Sequence, residues 1–348
     1  MEEGFLQILE EHAKRYPLMQ PQDFGKLAYQ SEFGPSHLLC DKQRAISALI
    51  DEWVALAGQG TVQKPEPVSG SLCRFPLSAC ASQDEVFLLA MMFLSTANER
   101  RGSMEGLTEK IEQLAQLDVP GMREWLLQWR GGGYAPVHHS RVYREMYRPH
   151  YRLVQKEYAD YFSVLFAVYR IWKSGKSAIV AIDGRCGSGK TYLAGLAEKL
   201  FACKVCHMDD FYMPKGQRPN DWSETVGGNM DLGRFYAQVL HPLRTGKQAV
   251  YRPYCCREDC MGEAVPLQPG GLTVVEGSYA HHPSLTPDYD LTIFLTCGRG
   301  QQWRRLMARE GAYFSVFERQ WMPMEERYLQ SYAVEEASAL VIDTGALY

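Results

Sequence analysis

Between an apolar run at Ser177–Ile182 and a segment with helical patterning lies the octapeptide G-R-C-G-S-G-K-T, Gly184 to Thr191. Few folds accommodate a GxxxxGK[ST] string in that strand–loop–helix setting. The glycines let backbone N–H groups close around the oxygens of a phosphate, and the following helix N-terminus adds a favourable dipole. The spacing predicts a nucleotide-phosphate site made by Gly184, Arg185, Cys186, Gly187, Ser188, Gly189, Lys190, Thr191 and Tyr192. Lys190 would reach the β- and γ-phosphates, and Thr191 would hold magnesium.

Downstream of the loop, short apolar runs alternate with helical stretches. The runs are Cys203–Met208, Leu272–Val275, Leu291–Leu295 and Leu340–Ile342. With the run before the loop they make five strands, and βα alternation predicts a parallel sheet covered on both faces. "LTVVEG" ends such a run in Glu276, where a strand-end carboxylate would lie near the magnesium.

The chain upstream reads differently. Phe5, Leu6, Ile8, Leu9 and His12 form one helical stripe, and Arg44 to Gly58 forms another that ends at a glycine. "VFLLAMMFL" (Val86 to Leu94) reads as a buried helix, preceded by capping-box spacing in Ser82 to Glu85. Residues 104–117 and 122–129 look similar. A long helix fits Lys156 to Lys173, with Tyr158, Tyr161, Phe162, Leu165, Phe166, Tyr169 and Trp172 on one face. We therefore expect a mostly helical N-terminal domain, residues 1–150. An α/β domain, residues 151–348, would come after it, with leading helix 156–173 and core 176–348.

A net charge of −4 gives no basic excess for nucleic acid. The longest apolar run is too short to span a bilayer, and the start lacks the pattern of a signal peptide. The expected setting is the cytoplasm, with the ten cysteines reduced. Cys203 and Cys206 stand at CxxC spacing, but strand alternation sends them to opposite faces, which argues against zinc. His37, His138, His139 and His150 lack metal-ligand spacing. The oligomeric state is left open, a homo-oligomer included.

The loop alone does not separate a kinase from a GTPase or a motor, although no guanine-reading NKxD string is present. "CHMDDFYMP" (Cys206 to Pro214) narrows the choice: a strand ends in two aspartates followed by two aromatics. In-line phosphoryl transfer needs a carboxylate near the attacking hydroxyl, opposite the γ-phosphate. With this stretch the sequence resembles the uridine kinase and phosphoribulokinase group of P-loop kinases, over about Ala178 to Thr344. The resemblance implies ATP and Mg2+ and a small-molecule acceptor, most of all a nucleoside. A sugar phosphate, pantothenate or a vitamin-derived riboside are the alternatives.

By the same resemblance Asp209 is the general base, and also a candidate magnesium ligand beside Thr191 and Glu276. Tyr212 would face the substrate. Asp231 in "GNMDLGRF" would grip substrate hydroxyls, and Tyr254 in "YRPY" would contact the acceptor; Asp231 also suits a helix N-cap. "CGRGQQWRRLMARE" looks like a lid helix whose Arg305 and Arg309, four apart on one face, would stabilise charge on the transferring group. His281 and His282 fall near the site. The first 150 residues resemble nothing we can name. Their stretches Leu27–Leu39 and Tyr134–Val154 are rich in His, Tyr and Arg, which suits either helix packing or a second ligand surface. A nucleotide-dependent switch, with this domain binding a partner, is the reading of a different class.

Overall fold

The computed structural model describes residues 4–36, 42–56, 62–99, 101–345 and 347. His37 and the glycine stop at Gly58 lie outside the described residues. Contacts divide the chain into two units, Met1–Phe162 and Ser163–Tyr348.

In the first unit, helices Phe5–Arg15, Lys42–Leu56 and Gln83–Asn98 form as the apolar spacing predicts, and Pro21–Phe33 is a helix that the spacing did not single out. Ser82 caps the last of these with the reciprocal Glu85 bond, one of the surer helix starts in a sequence. Ile8, Leu9 and His12 are buried, but Leu6 is 42% exposed and leaves the expected stripe. The unit also contains a sheet that periodicity missed. Strands β1 (Glu66–Pro67), β2 (Leu72–Pro76) and β3 (Tyr151–Gln155) pair antiparallel in that order. Residues 151–155, grouped with the second domain on sequence, thus pair with a strand of the first unit. The long helix expected at 156–173 is two, Lys156–Asp160 and Phe162–Trp172, separated at Tyr161.

Two buried histidines give this unit an acid-sensitive core. Burial and the charge of Arg74 hold His12 at a pKa of about 4; burial is also the main cause that brings His139 down to about 4. Their folded pKa lies below the unfolded value near 6.5. Stability is therefore complete above about pH 6.5 and falls as pH drops toward 4, by about 1.4 kcal/mol per pH unit for each histidine. Urea midpoints between pH 7.5 and 4.5 should fall on the acid side. His12→Gln should flatten that slope, and an unchanged slope would refute the assignment.

The second unit is α/β. Strand β4 (Ala178–Gly184) is buried along its length, and β5 (Lys204–His207) comes after the loop and its helix Lys190–Phe201. Short antiparallel pairs β6 (Ala249–Tyr251) with β9 (Val265–Leu267), and β7 (Tyr254–Cys255) with β8 (Cys260–Met261), lie outside the main sheet. Strands β10 (Leu272–Glu276), β11 (Leu291–Thr296) and β12 (Leu340–Asp343) complete a five-stranded sheet ordered β12-β11-β4-β10-β5. Every pairing in it is parallel, so all five C-terminal ends share one edge. Ligands of open α/β sheets bind outside that edge.

Candidate active site

The turn out of β4 requires glycine. Gly184 has φ +144°, and a Cβ there would lie 2.0 Å from the Leu295 carbonyl oxygen of the neighbouring strand. Gly189 enters the helix at φ +98°. Lys190, first in the helix, donates Nζ to the Gly184 carbonyl at 2.6 Å and the Arg185 carbonyl at 3.2 Å. Burial disfavours its charge, but Glu325, Asp183 and Glu276 outweigh this, and its pKa is raised.

The sheet register sets Glu276 opposite Ile182 on one side and His207 on the other. The Thr191 hydroxyl donates to both Glu276 oxygens at 3.2 Å, and His207 Nδ1 lies 2.5 Å from Glu276 Oε1. That hydrogen bond raises the His207 pKa, against its partial burial. Asp209 sits in the short 3-10 turn Met208–Phe211. Burial and the Glu276 charge raise its carboxyl pKa, with Lys190 pulling the other way.

Lys190, Thr191, Asp209 and Glu276 line one cavity of about 510 Å³. Cys186, Gly187, Gly189 and Tyr192 also line it; Gly184, Arg185 and Ser188 do not. Arg185 pairs instead with Glu335 at 2.8 Å and Glu326 at 3.4 Å. Tyr212, Tyr279, Tyr313, Phe317 and Trp321 form aromatic walls. Arg305 and Arg309 both reach the cavity. Arg305 is anchored to Thr344 (2.6 and 3.0 Å) and the Gly187 carbonyl, while Arg309 pairs with Glu310 and covers the Phe317 ring.

Two expected substrate residues lie outside the cavity lining. Asp231 caps the helix Leu232–Phe235 through the Arg234 N–H and pairs with the Arg234 guanidinium at 3.5 Å. The Tyr254 hydroxyl donates to Asp259 at 2.5 Å and accepts the Lys215 N–H at 3.3 Å. Asp210, the other member of the pair, accepts from the Tyr251 hydroxyl at 3.0 Å. His281 is tied to the Asp183 carboxylate and the Ala181 carbonyl, behind the loop.

Asn229, two residues before Asp231, lines the cavity in its place, and both polar atoms of its amide are buried without a partner among the described residues. Sequence reasoning missed it, along with His207, Asp183 and Glu325. Asp183 accepts from the Gly184 and His281 N–H groups and the Tyr328 hydroxyl, which braces the turn from β4. Glu325 comes from the helix Met322–Ser331. Its carboxylate accepts the Cys186 N–H at 2.8 and 2.9 Å and the Ser278 hydroxyl at 2.8 Å.

The oxygen donors suit magnesium: one hydroxyl and one or two carboxylates, the remaining positions falling to phosphate and water. Among the described residues, no group of three or more His, Cys, Asp or Glu side chains converges as a metal cage. Cys203 and Cys206 are both buried, and burial pushes each thiol up to about 12.

Sheet, loop and strand-end carboxylates together define an α/β unit with a glycine-rich loop at the C-terminal edge of its parallel sheet. Comparison with known protein families and with curated proteins finds no match. Among solved structures the chain is similar to a possible uridine kinase from Bacillus stearothermophilus: 20% identity, 52% of this chain and 100% of that one, TM-score 0.41. It is similar also to a candidate fructose transport system kinase from Silicibacter sp. TM1040: 20% identity, 48% of this chain and 90% of that one, TM-score 0.34. Among the described residues no helix is long and apolar enough to cross a membrane.

Proposed function

We propose that the second unit is an ATP- and magnesium-dependent phosphotransferase of the cytoplasm that moves the γ-phosphate to a hydroxyl of a small metabolite, a nucleoside such as uridine first among them. One observation carries this reading: a carboxylate, Asp209, shares a cavity with the loop lysine and the Thr191–Glu276 pair. The loop amides and Lys190 would hold the phosphates, and Thr191, Glu276 and Asp209 the metal side. Asp209 would accept the proton of the attacking hydroxyl; its raised pKa brings it closer to the working pH of a base. Arg305 and Arg309 would stabilise the charge on the transferring group. The aromatic walls suit an acceptor with a planar ring, which favours a nucleoside over an aliphatic acceptor.

The test is incubation of the full chain with ATP, magnesium and a panel of nucleosides, sugars, sugar phosphates and vitamin precursors, read by mass spectrometry. A single phosphorylated nucleoside is the expected product. ATP consumption with every acceptor unmodified would refute a kinase, and a phosphorylated sugar would refute the nucleoside.

A further inference from the structure

We propose that Cys255 and Cys260 form a dithiol site for reversible oxidation, closed to a disulfide by exchange with a low-molecular-weight disulfide. The kinase reading plays no part in it, and every residue involved belongs to the unit Ser163–Tyr348.

The pairing of β7 with β8 sets Cys255 directly opposite Cys260. Residues opposed in an antiparallel pair project from the same face, with Cα atoms about 4.5–5.5 Å apart. A disulfide asks for Cα atoms about 4.4–6.8 Å apart, so closing the bond needs side-chain rotation and little backbone movement. The register is pinned on both sides of the thiols. On one side the Gly262 N–H donates to the Pro253 carbonyl at 2.7 Å, and Arg252 donates Nε to the Gly262 carbonyl at 2.7 Å. On the turn side the Tyr254 hydroxyl donates to Asp259 at 2.5 Å, and Asp259 itself takes φ +52°.

Both thiols are free, Cys260 exposed and Cys255 half-buried, whereas Cys73, Cys80, Cys203, Cys206 and Cys297 are buried. Cys256 is exposed too, but it begins the turn and lines the cavity that holds Asp209, which neither member of the pair does. Among the described residues these thiols belong to no group that could hold a metal. Local desolvation and the Glu258 carboxylate raise the Cys260 thiol pKa. Exchange is then slow, and its equilibrium rather than its rate is the property to measure.

The Cys260 thiolate attacks one sulfur of the reagent disulfide, whose S–S bond breaks, and one reagent thiolate leaves. The Cys255 thiolate then attacks the Cys260 sulfur of the mixed disulfide and releases the second reagent thiolate. The pair gives up two protons and two electrons, and the reagent takes them as two thiols. A disulfide across so short a loop constrains the unfolded chain least, so the preference for this pair must come from the folded register. Closure would fix the turn whose first residue, Cys256, forms part of the cavity wall.

The test equilibrates the full chain with oxidised and reduced glutathione over a range of ratios. Free thiols are then blocked by alkylation and the peptides mapped by mass spectrometry. The folded protein should form the Cys255–Cys260 bond in preference to Cys256–Cys260 by about tenfold or more. In urea the two pairings should become about equal, because their loops are of similar length. Cys256→Ser should leave the yield of the bond unchanged, and Cys260→Ser should leave only mixed disulfides with glutathione. A folded protein that stays reduced at every ratio, or stops at the mixed disulfide, would overturn the proposal. So would equal yields of the two pairings in the folded protein.

Discussion

Asp209→Asn is expected to slow phosphoryl transfer by about a hundred- to ten-thousandfold while nucleotide affinity changes little. Asparagine keeps the size of the side chain and its place in the turn after β5, so the cavity should retain its shape. It cannot take the acceptor's proton. The carboxyl pKa is raised by burial and by Glu276, so the wild-type rate should also fall as pH drops through that raised value. Single-turnover product formation measures the first effect, nucleotide titration the second. An Asn variant that transfers phosphate at the wild-type rate would remove Asp209 from the chemistry.

Gly184→Ala should be the most damaging small substitution in the second unit. The backbone sits at φ +144°, and the added carbon would fall 2.0 Å from a carbonyl oxygen of β11. The central strands of the sheet cannot separate at one point without losing ladder hydrogen bonds, so a cost of about 4 kcal/mol or more is expected. Gly246 supplies the comparison: its φ is +70° but open space surrounds the position, so Gly246→Ala should cost only about 1 kcal/mol. Denaturant midpoints measure both. A Gly184→Ala protein as stable as the Gly246→Ala protein would mean that the strand gives way easily.

The parallel sheet was legible because its strands are short apolar runs, with β4 and β10 buried on both faces, and each predicted run lies within two residues of an observed strand. The loop was legible because its glycines serve backbone needs that few other sequences meet. The small sheet of the first unit was not. β1 has two residues, β2 carries Arg74 and a proline, and β3 opens on the Tyr-Arg pair of a stretch that looks like helix surface. A buried arginine breaks the alternation on which strand recognition depends. At the candidate site, residues next to a motif could have been found: His207 lies two before Asp209, and parallel register would set it beside Glu276. Glu325 had no such signal. It is one acidic residue on an amphipathic helix, brought to Cys186 by tertiary packing from 139 residues away.

Glu325 changes what an affinity for phosphate would mean here. The Cys186 amide already has an acceptor supplied by the chain itself, a carboxyl whose pKa burial raises while Lys190 pulls it back. A phosphate group entering beside them exchanges with, or crowds, a resident carboxyl group. Its measured binding energy is then a difference between two occupants, and a tight site can register as a weak one.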